Sequence, residues 1–335
     1  MKIRTQKQSR LRLAILPTQT TPDCDSDGQS TTSQSLESPP MSRRMNFKLC
    51  NSSGPSLDLE TTRKLRSTKH QNRAKSAGMQ IALKLVYKYC ARSVSELFDK
   101  TTSDEYAELV YQDVKYTKFI QPAIDLFIKD NIEIQRRDRW EFLLAFAKYN
   151  QAEEAELLRL FSAQRISVVD FAKKLKMVLN CEHPKINMLK MWGPPNSGKS
   201  LIARLICENF ITCFACMKNS ENEFSMSNFL NKAIILCDEL YVTRNTIEDY
   251  KIICSGAPHD LSKKYYDKQL LCRTPMIVTS NYHYYGRGHL PPVDEEALCT
   301  RAITYNFDNV FLPSVMITAP SFAHLMWSAA NQDVL

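Results

Sequence analysis

The sequence predicts an α/β fold, a parallel sheet with flanking helices, preceded by an all-helical domain and a disordered basic tail. Three observations predict it. Beyond residue 183, short apolar runs alternate with helical stretches, the signature of buried parallel strands. Residues 79–180 repeat apolar side chains every three or four positions, and no glycine occurs between Gly78 and Gly193. The first 75 residues are rich in Ser, Thr, Gln, Pro and Arg and poor in aromatics.

The N-terminal segment cannot bury enough apolar surface to offset its chain entropy, so residues 1–76 are expected to be a disordered tail. It also carries the charge. Residues 1–75 hold 14 Lys/Arg against 6 Asp/Glu, a net of 14 − 6 = +8; the remaining 260 hold 30 of each. Arg63-Lys64-Leu65-Arg66 with Lys69, Arg73 and Lys75 is either a solvated tail or a nuclear-import or nucleic-acid patch. The apolar run LAIL is too short for a signal peptide, and no run of 18 apolar residues exists, so no membrane partner is expected. The eleven cysteines are odd in number and scattered. Cys90, Cys207, Cys237 and Cys254 read as reduced, buried small hydrophobes. The lone pair Cys213/Cys216 lacks the second pair that a zinc site needs.

Residues 77–182 are expected to form a domain of about five helices, with starts near Ser103 (Glu105 following) and Asp138. Residues 183–335 form the α/β domain. Ile186–Trp192 reads as a buried strand and Ser200–Phe210 as a helix, with ITCFACM, KAIILCD and TPMIVTS as further strands.

Between the first strand and helix stands Gly193-Pro194-Pro195-Asn196-Ser197-Gly198-Lys199-Ser200, matching G-x-x-x-x-G-K-[ST]. Glycines let such a loop turn its N–H groups toward phosphate oxygens at the positive end of the helix. Lys199 would reach the β and γ phosphates, and the Ser200 hydroxyl would coordinate Mg2+. The expected ligand is ATP with Mg2+. Asp238-Glu239 ends the strand KAIILC, 39 residues after Lys199. Ligands of open α/β sheets bind at the carboxyl ends of strands. Asp238 would hold the metal and Glu239 would orient and deprotonate a water. Asn281, ending TPMIVTSN, would touch the γ-phosphate or that water.

Taken together, these elements resemble the superfamily 3 helicases, AAA+-type ATPases of small DNA viruses that include the large nonstructural replication proteins of parvoviruses and the papillomavirus replication helicase. The family packs its motifs into roughly a hundred residues, and Gly193 to Asn281 spans 89. The stretch YKIICSGAPHDLSKKYYDKQLLCRTPMIVTSN looks like the family's additional motif, with Lys251 and Gly256 matching its start. Lys264 lies eight residues after Gly256 and ten before Thr274. The resemblance implies an AAA+-like sheet and a pore hairpin in which Lys264 and Tyr265 grip nucleic acid. LCTRAITYNF looks like the segment whose arginine, here Arg301, reaches ATP on a neighbouring subunit; Arg273 and Arg287 are competitors. It further implies single-stranded and duplex DNA as partners, a ring oligomer (a hexamer in the family) assembled on the helical domain, and a host nucleus or cytoplasm as the location. The parvoviral members carry an N-terminal nicking nuclease with a His-hydrophobe-His motif. Before the loop stand only His70 and His183, far apart, so either a separate nicking or origin-binding protein is expected or the chain is a shortened or diverged relative. Three alternatives stay open: an RNA-virus ATPase of the same superfamily, a regulator that binds nucleotide and DNA without turnover, and a cellular AAA+ ATPase or phosphate-loop kinase.

Overall fold

The computed structural model describes residues 59–74, 76–112, 115–214, 225–263 and 266–331. The expected hairpin tip at Lys264 and Tyr265, the tail over 1–58 and Cys216 lie outside these residues.

Helices come first: α1 (Leu59–Arg73), α2 (Ala77–Tyr89), α3 (Val94–Lys100), α4 (Ser103–Val110), α5 (Thr117–Arg137), α6 (Arg139–Leu144), α7 (Gln151–Ala163) and α8 (Val168–Leu179). The mixed part follows: β1 (Met188–Trp192), α9 (Lys199–Cys207), β2 (Thr212–Phe214), β3 (Ile234–Cys237), α10 (Ile247–Ser255), β4 (His259–Lys263), β5 (Tyr266–Leu271), β6 (Met276–Ser280), α11 (Pro292–Cys299), β7 (Ala302–Asn306) and α12 (Ala319–Asn331).

Local chemistry sets five of the described helix starts. Ser93, Asp138, Asn150 and Ser167 each accept a hydrogen bond from a backbone N–H two or three residues on, satisfying donors that the helix leaves open. The start expected at Ser103 is capped one residue earlier. Thr102 accepts from the Glu105 N–H while Glu105 returns to the Thr102 N–H, a capping box.

Part of the expected tail is ordered, against the expectation of disorder through residue 76. The α1 helix lies against α2 and α5. Arg66 donates to the Asp130 carbonyl at 2.8 Å, His70 meets the Asp130 carboxylate at 2.9 Å, and Tyr87 donates to it at 2.7 Å. Composition gave no sign of this, because the acid that holds the helix stands some sixty positions downstream.

Five strands make one parallel sheet in the order β2-β3-β6-β1-β7, while β4 and β5 form a separate antiparallel hairpin. In the sheet β1 is flanked on both sides, Met188 to Trp192 pairing with Met276 to Ser280 of β6 and with Ala302 to Asn306 of β7. The carboxyl ends of β1, β3 and β6 therefore open at one edge, where the phosphate loop begins.

Apolar side chains on β1 alternate between two cores. Leu189 and Met191 join Phe161, Phe171 and Leu175 of the preceding helices, with Ile202 of α9 and Phe322 of α12. Met188 joins Ile235, Met276, Val278, Tyr250 and Tyr285 on the other face. A third core lies among α2 to α5 around Leu83, Val86, Leu97, Ile124 and Phe127. The expected boundary at 182/183 thus runs through a shared core, since apolar residues of α7 and α8 join those of β1 in one cluster. Helical periodicity shows which face is apolar but not what will cover it. Among the described residues no helix is long and apolar enough to cross a membrane.

Candidate nucleotide-binding site

The loop after β1 is held open from several sides. Its first N–H, that of Gly193, donates to the Ser280 carbonyl at 3.2 Å. Gly193 has φ +148°, and a Cβ there would run into the Phe307 carbonyl, so only glycine fits. Gly198 has φ +91° and heads α9, with Leu160 2.7 Å from where a Cβ would stand. No side-chain cap bonds the first N–H groups of α9, and its first turn contains no acid. Those donors and the positive end of the helix dipole remain for an anion.

Lys199 lies beneath the loop, 5% exposed. Its ammonium donates to the carbonyls of Gly193 (2.9 Å) and Pro194 (2.7 Å), to Ser197 Oγ (3.2 Å) and to Asn281 Oδ1 (3.2 Å). Burial lowers its pKa, and the nearby Glu239 and Asp238 oppose that shift. Asn281, the residue after β6, thus stands beside Lys199.

Ser200 Oγ donates to Asp238 Oδ1 at 3.1 Å, bringing the two expected metal ligands together. A hydroxyl and one carboxylate suit Mg2+, which keeps several waters and takes phosphate oxygens for the rest. Among the described residues there is no cluster of three His, Cys, Asp or Glu that would form an all-protein cage. Glu239 follows in a left-handed conformation (φ +57°), a strained state for a side-chain-bearing residue. Its N–H reaches Thr279 Oγ1 at 3.4 Å, and its carboxylate accepts from the Asn281 N–H at 3.4 Å.

Three contributors escaped the sequence reading. Thr279 donates to the Asp238 carboxylate and so fixes it from the neighbouring strand. Its place inside TPMIVTSN, at a polar position in a buried run, was the available signal. Gln164, the C-terminal cap of α7, donates to the Ser197 carbonyl (3.1 Å) and the Asn309 carbonyl (2.7 Å) and accepts from the Asn309 N–H (3.0 Å). No local pattern marks it. Lys190, a lone charge within β1, is 1% exposed; it donates to the His283 carbonyl, and its ammonium lies 3.6 Å from the centroid of the Tyr285 ring. Burial pushes its pKa down to about 8.

The three candidate arginines separate clearly. Arg273 is committed to structure, donating to Asn187 Oδ1 at 3.3 Å and to the Ile186 carbonyl at 3.1 Å. Arg287 is exposed and lies over the rings of Tyr282 (4.6 Å) and Tyr241 (5.0 Å). Arg301 lies in the turn before β7; its carbonyl accepts from the Asn187 N–H at 3.2 Å. That puts it at the amino end of the sheet, a strand length of about 16 Å from the phosphate loop. Its Nη1 donates to the Ala297 carbonyl, while the buried Nε has no hydrogen-bond partner. Lys251, on α10, pairs with Glu248 and with Asp294 of α11 at 2.7 Å each, and Gly256 ends α10 at φ +75° ahead of β4.

A five-stranded parallel sheet with a glycine loop, a buried lysine and an acidic strand end defines a phosphate-loop α/β protein. The family model "Parvovirus non-structural protein NS1" matches residues 100–285, more than half of the chain, and the chain belongs to that family. Similar relatives include the initiator protein NS1 of primate bocaparvovirus 1, 26% identical over 180 residues that cover 52% of this chain and 23% of that protein. That of murine minute virus is 24% identical over 201 residues, 56% of this chain and 30% of that protein. The matched part is thus about a quarter of the length of these relatives. An X-ray structure of JCV helicase aligns with a TM-score of 0.44 and 13% identity, covering 74% of this chain and 77% of that one.

Proposed function

We propose that this chain is an ATP-driven motor of viral DNA replication, hydrolysing ATP between subunits of a ring and moving along single-stranded DNA. The relatives bear the name initiator protein, and JCV helicase is named for strand separation; the proposal extends both roles to this chain. One observation carries the intersubunit reading: Lys199, Ser200, Asp238, Glu239 and Asn281 meet at the carboxyl end of the sheet, whereas Arg301 stands at the opposite end. An arginine that distant cannot serve its own site, but a neighbouring copy can present it.

In this mechanism the N–H groups of Asn196–Ser200 and the Lys199 ammonium hold the phosphates. Ser200 and Asp238 would hold Mg2+, which would supply positive charge beside the phosphate oxygens. Glu239 takes a proton from the attacking water while Asn281 orients it, and Arg301 of the adjacent subunit stabilises charge on the transferred group. Lys264 and Tyr265 would contact the DNA backbone and bases. The exposed Lys64, Lys69 and Arg73 on α1 support a nucleic-acid or nuclear-import role, and with it a nuclear location.

The test is ATP turnover and strand displacement by the full chain, with Lys199→Ala and Arg301→Ala. Turnover lost in each variant and partly restored when the two are mixed supports a shared site. Unwinding that survives Lys199→Ala sinks the mechanism, and no restoration on mixing sinks the intersubunit arrangement.

A further inference from the structure

A lysine in the middle of β1 is out of place. The alternation that puts Leu189 and Met191 in one core and Met188 in the other assigns position 190 to the face of Met188, Tyr285 and Leu298. An apolar side chain there would pack without cost, whereas a buried cation is unfavourable unless compensated. What Lys190 contacts suggests why it stands there. Its ammonium holds the His283 carbonyl and the face of Tyr285, both in the loop that begins with Asn281.

The same short loop is tied on two further sides. The Val242 N–H donates to the Tyr285 carbonyl at 3.1 Å, joining the loop to the segment that follows Asp238 and Glu239. The buried Glu295 carboxylate of α11 accepts from the N–H groups of Tyr285 (2.8 Å) and Gly286 (2.7 Å). From Glu295, α11 runs to Cys299, and the Arg301 guanidinium bonds back to Ala297 in its last turn. Asn281 at one end of the sheet and Arg301 at the other are thus joined through one continuous set of contacts.

We infer that Lys190 is a positioning residue that ties the Asn281 loop to the centre of the sheet, so that a change at the phosphate end is transmitted through Glu295 and α11 to Arg301. This rests on the motor reading above. Lys190 touches no nucleotide; it acts by holding the loop that carries Asn281. With Lys190 replaced by an apolar residue, the loop remains packed but is no longer pinned at its His283 carbonyl, and the two ends of the subunit move independently.

The experiment compares wild type, Lys190→Met and Glu295→Gln as full chains, measuring thermal midpoint, affinity for a fluorescent ATP analogue, and kcat and KM for ATP. Lys190→Met is expected to keep the wild-type midpoint or exceed it, to bind the analogue within about twofold of wild type, and to lose at least tenfold in kcat at nearly constant KM. Doping it into wild type should depress turnover more steeply than its mole fraction. A wild-type kcat in Lys190→Met overturns the inference, as does a loss of kcat matched by falls in midpoint and affinity, which a purely structural role would give. Should Lys190→Met fail to fold, Glu295→Gln decides: kcat loss at unchanged analogue affinity supports the relay, and wild-type kcat overturns it. Wild type without ATP turnover overturns the motor reading and this inference together; turnover that requires Lys199 but ignores Lys190 overturns the inference alone.

Discussion

Two buried lysines stand nine positions apart, one at the centre of β1 and one at the start of α9, and their surroundings are opposites. Lys199 faces four oxygen atoms in a loop whose neighbouring helix N–H groups have no side-chain cap. Lys190 faces one carbonyl and an aromatic ring in a packed interior. The first region is polar and open to a ligand, and its internal bonds are ones that a phosphate can replace. The second is closed, and its bonds serve only the protein. Burial lowers the pKa of both lysines, so the same shift accompanies two different tasks.

The comparison breaks most easily at Lys199. Lys199→Ala should reduce ATP turnover about a thousandfold, equivalent to about 4 kcal/mol of lost stabilisation, with little change in the unfolding midpoint. A variant that retains a tenth of wild-type turnover would mean that the loop does not act on the γ-phosphate. The loop backbone comes next. Gly193→Ala forces a side chain into a positive-φ position against the Phe307 carbonyl, and should cost about 3 kcal/mol in denaturant unfolding as well as abolish nucleotide binding.

A pH titration sharpens the Lys190 side. Its folded-state pKa of about 8 lies below the ordinary 10.5. Between those values the unfolded chain binds the additional proton, so this group makes stability rise with pH across the window, by at most about 3 kcal/mol at 1.36 per unit. Below pH 8 both states are protonated and the burial penalty is at its largest. Unfolding of Lys190→Met should therefore show an advantage over wild type at pH 7 that narrows toward pH 10. A gap independent of pH would show that Lys190 titrates normally. The smallest expected effect is at Gln164, where Gln164→Ala removes the bond to the Ser197 carbonyl. It should destabilise by about 1–2 kcal/mol and weaken nucleotide affinity severalfold, read by the same unfolding and binding measurements.

Family membership and the chemistry of the loop were both legible in the sequence, but unequally across the chain. The phosphate loop, Asp238-Glu239 and Asn281 were legible because each is a short string at the end of an apolar run, and strand ends place themselves. The seven helices from α2 to α8 exceed the five or so expected, while Asp138 caps α6 where a helix start was expected. Arg301 was legible as a residue but not as a location. Its position on the turn before β7 follows from the β1–β7 register.

By itself the sequence determined a glycine loop between a buried strand and a helix, an acidic pair on a second strand, an amide on a third, and hence an α/β nucleotide site. Those features need only local periodicity and the conformational demands of glycine. Tertiary structure alone decided that α1 docks on Asp130, that Thr279 fixes Asp238, that Gln164 steadies the loop, and that Lys190 serves the interior while Lys199 serves the site. Each depends on a partner brought close by the parallel crossovers and by packing of distant helices, from 33 positions away for Gln164 and Ser197 to 93 for Lys190 and His283. A local pattern carries no record of such pairings, because the chain entropy of closing those loops is offset only when the whole core forms.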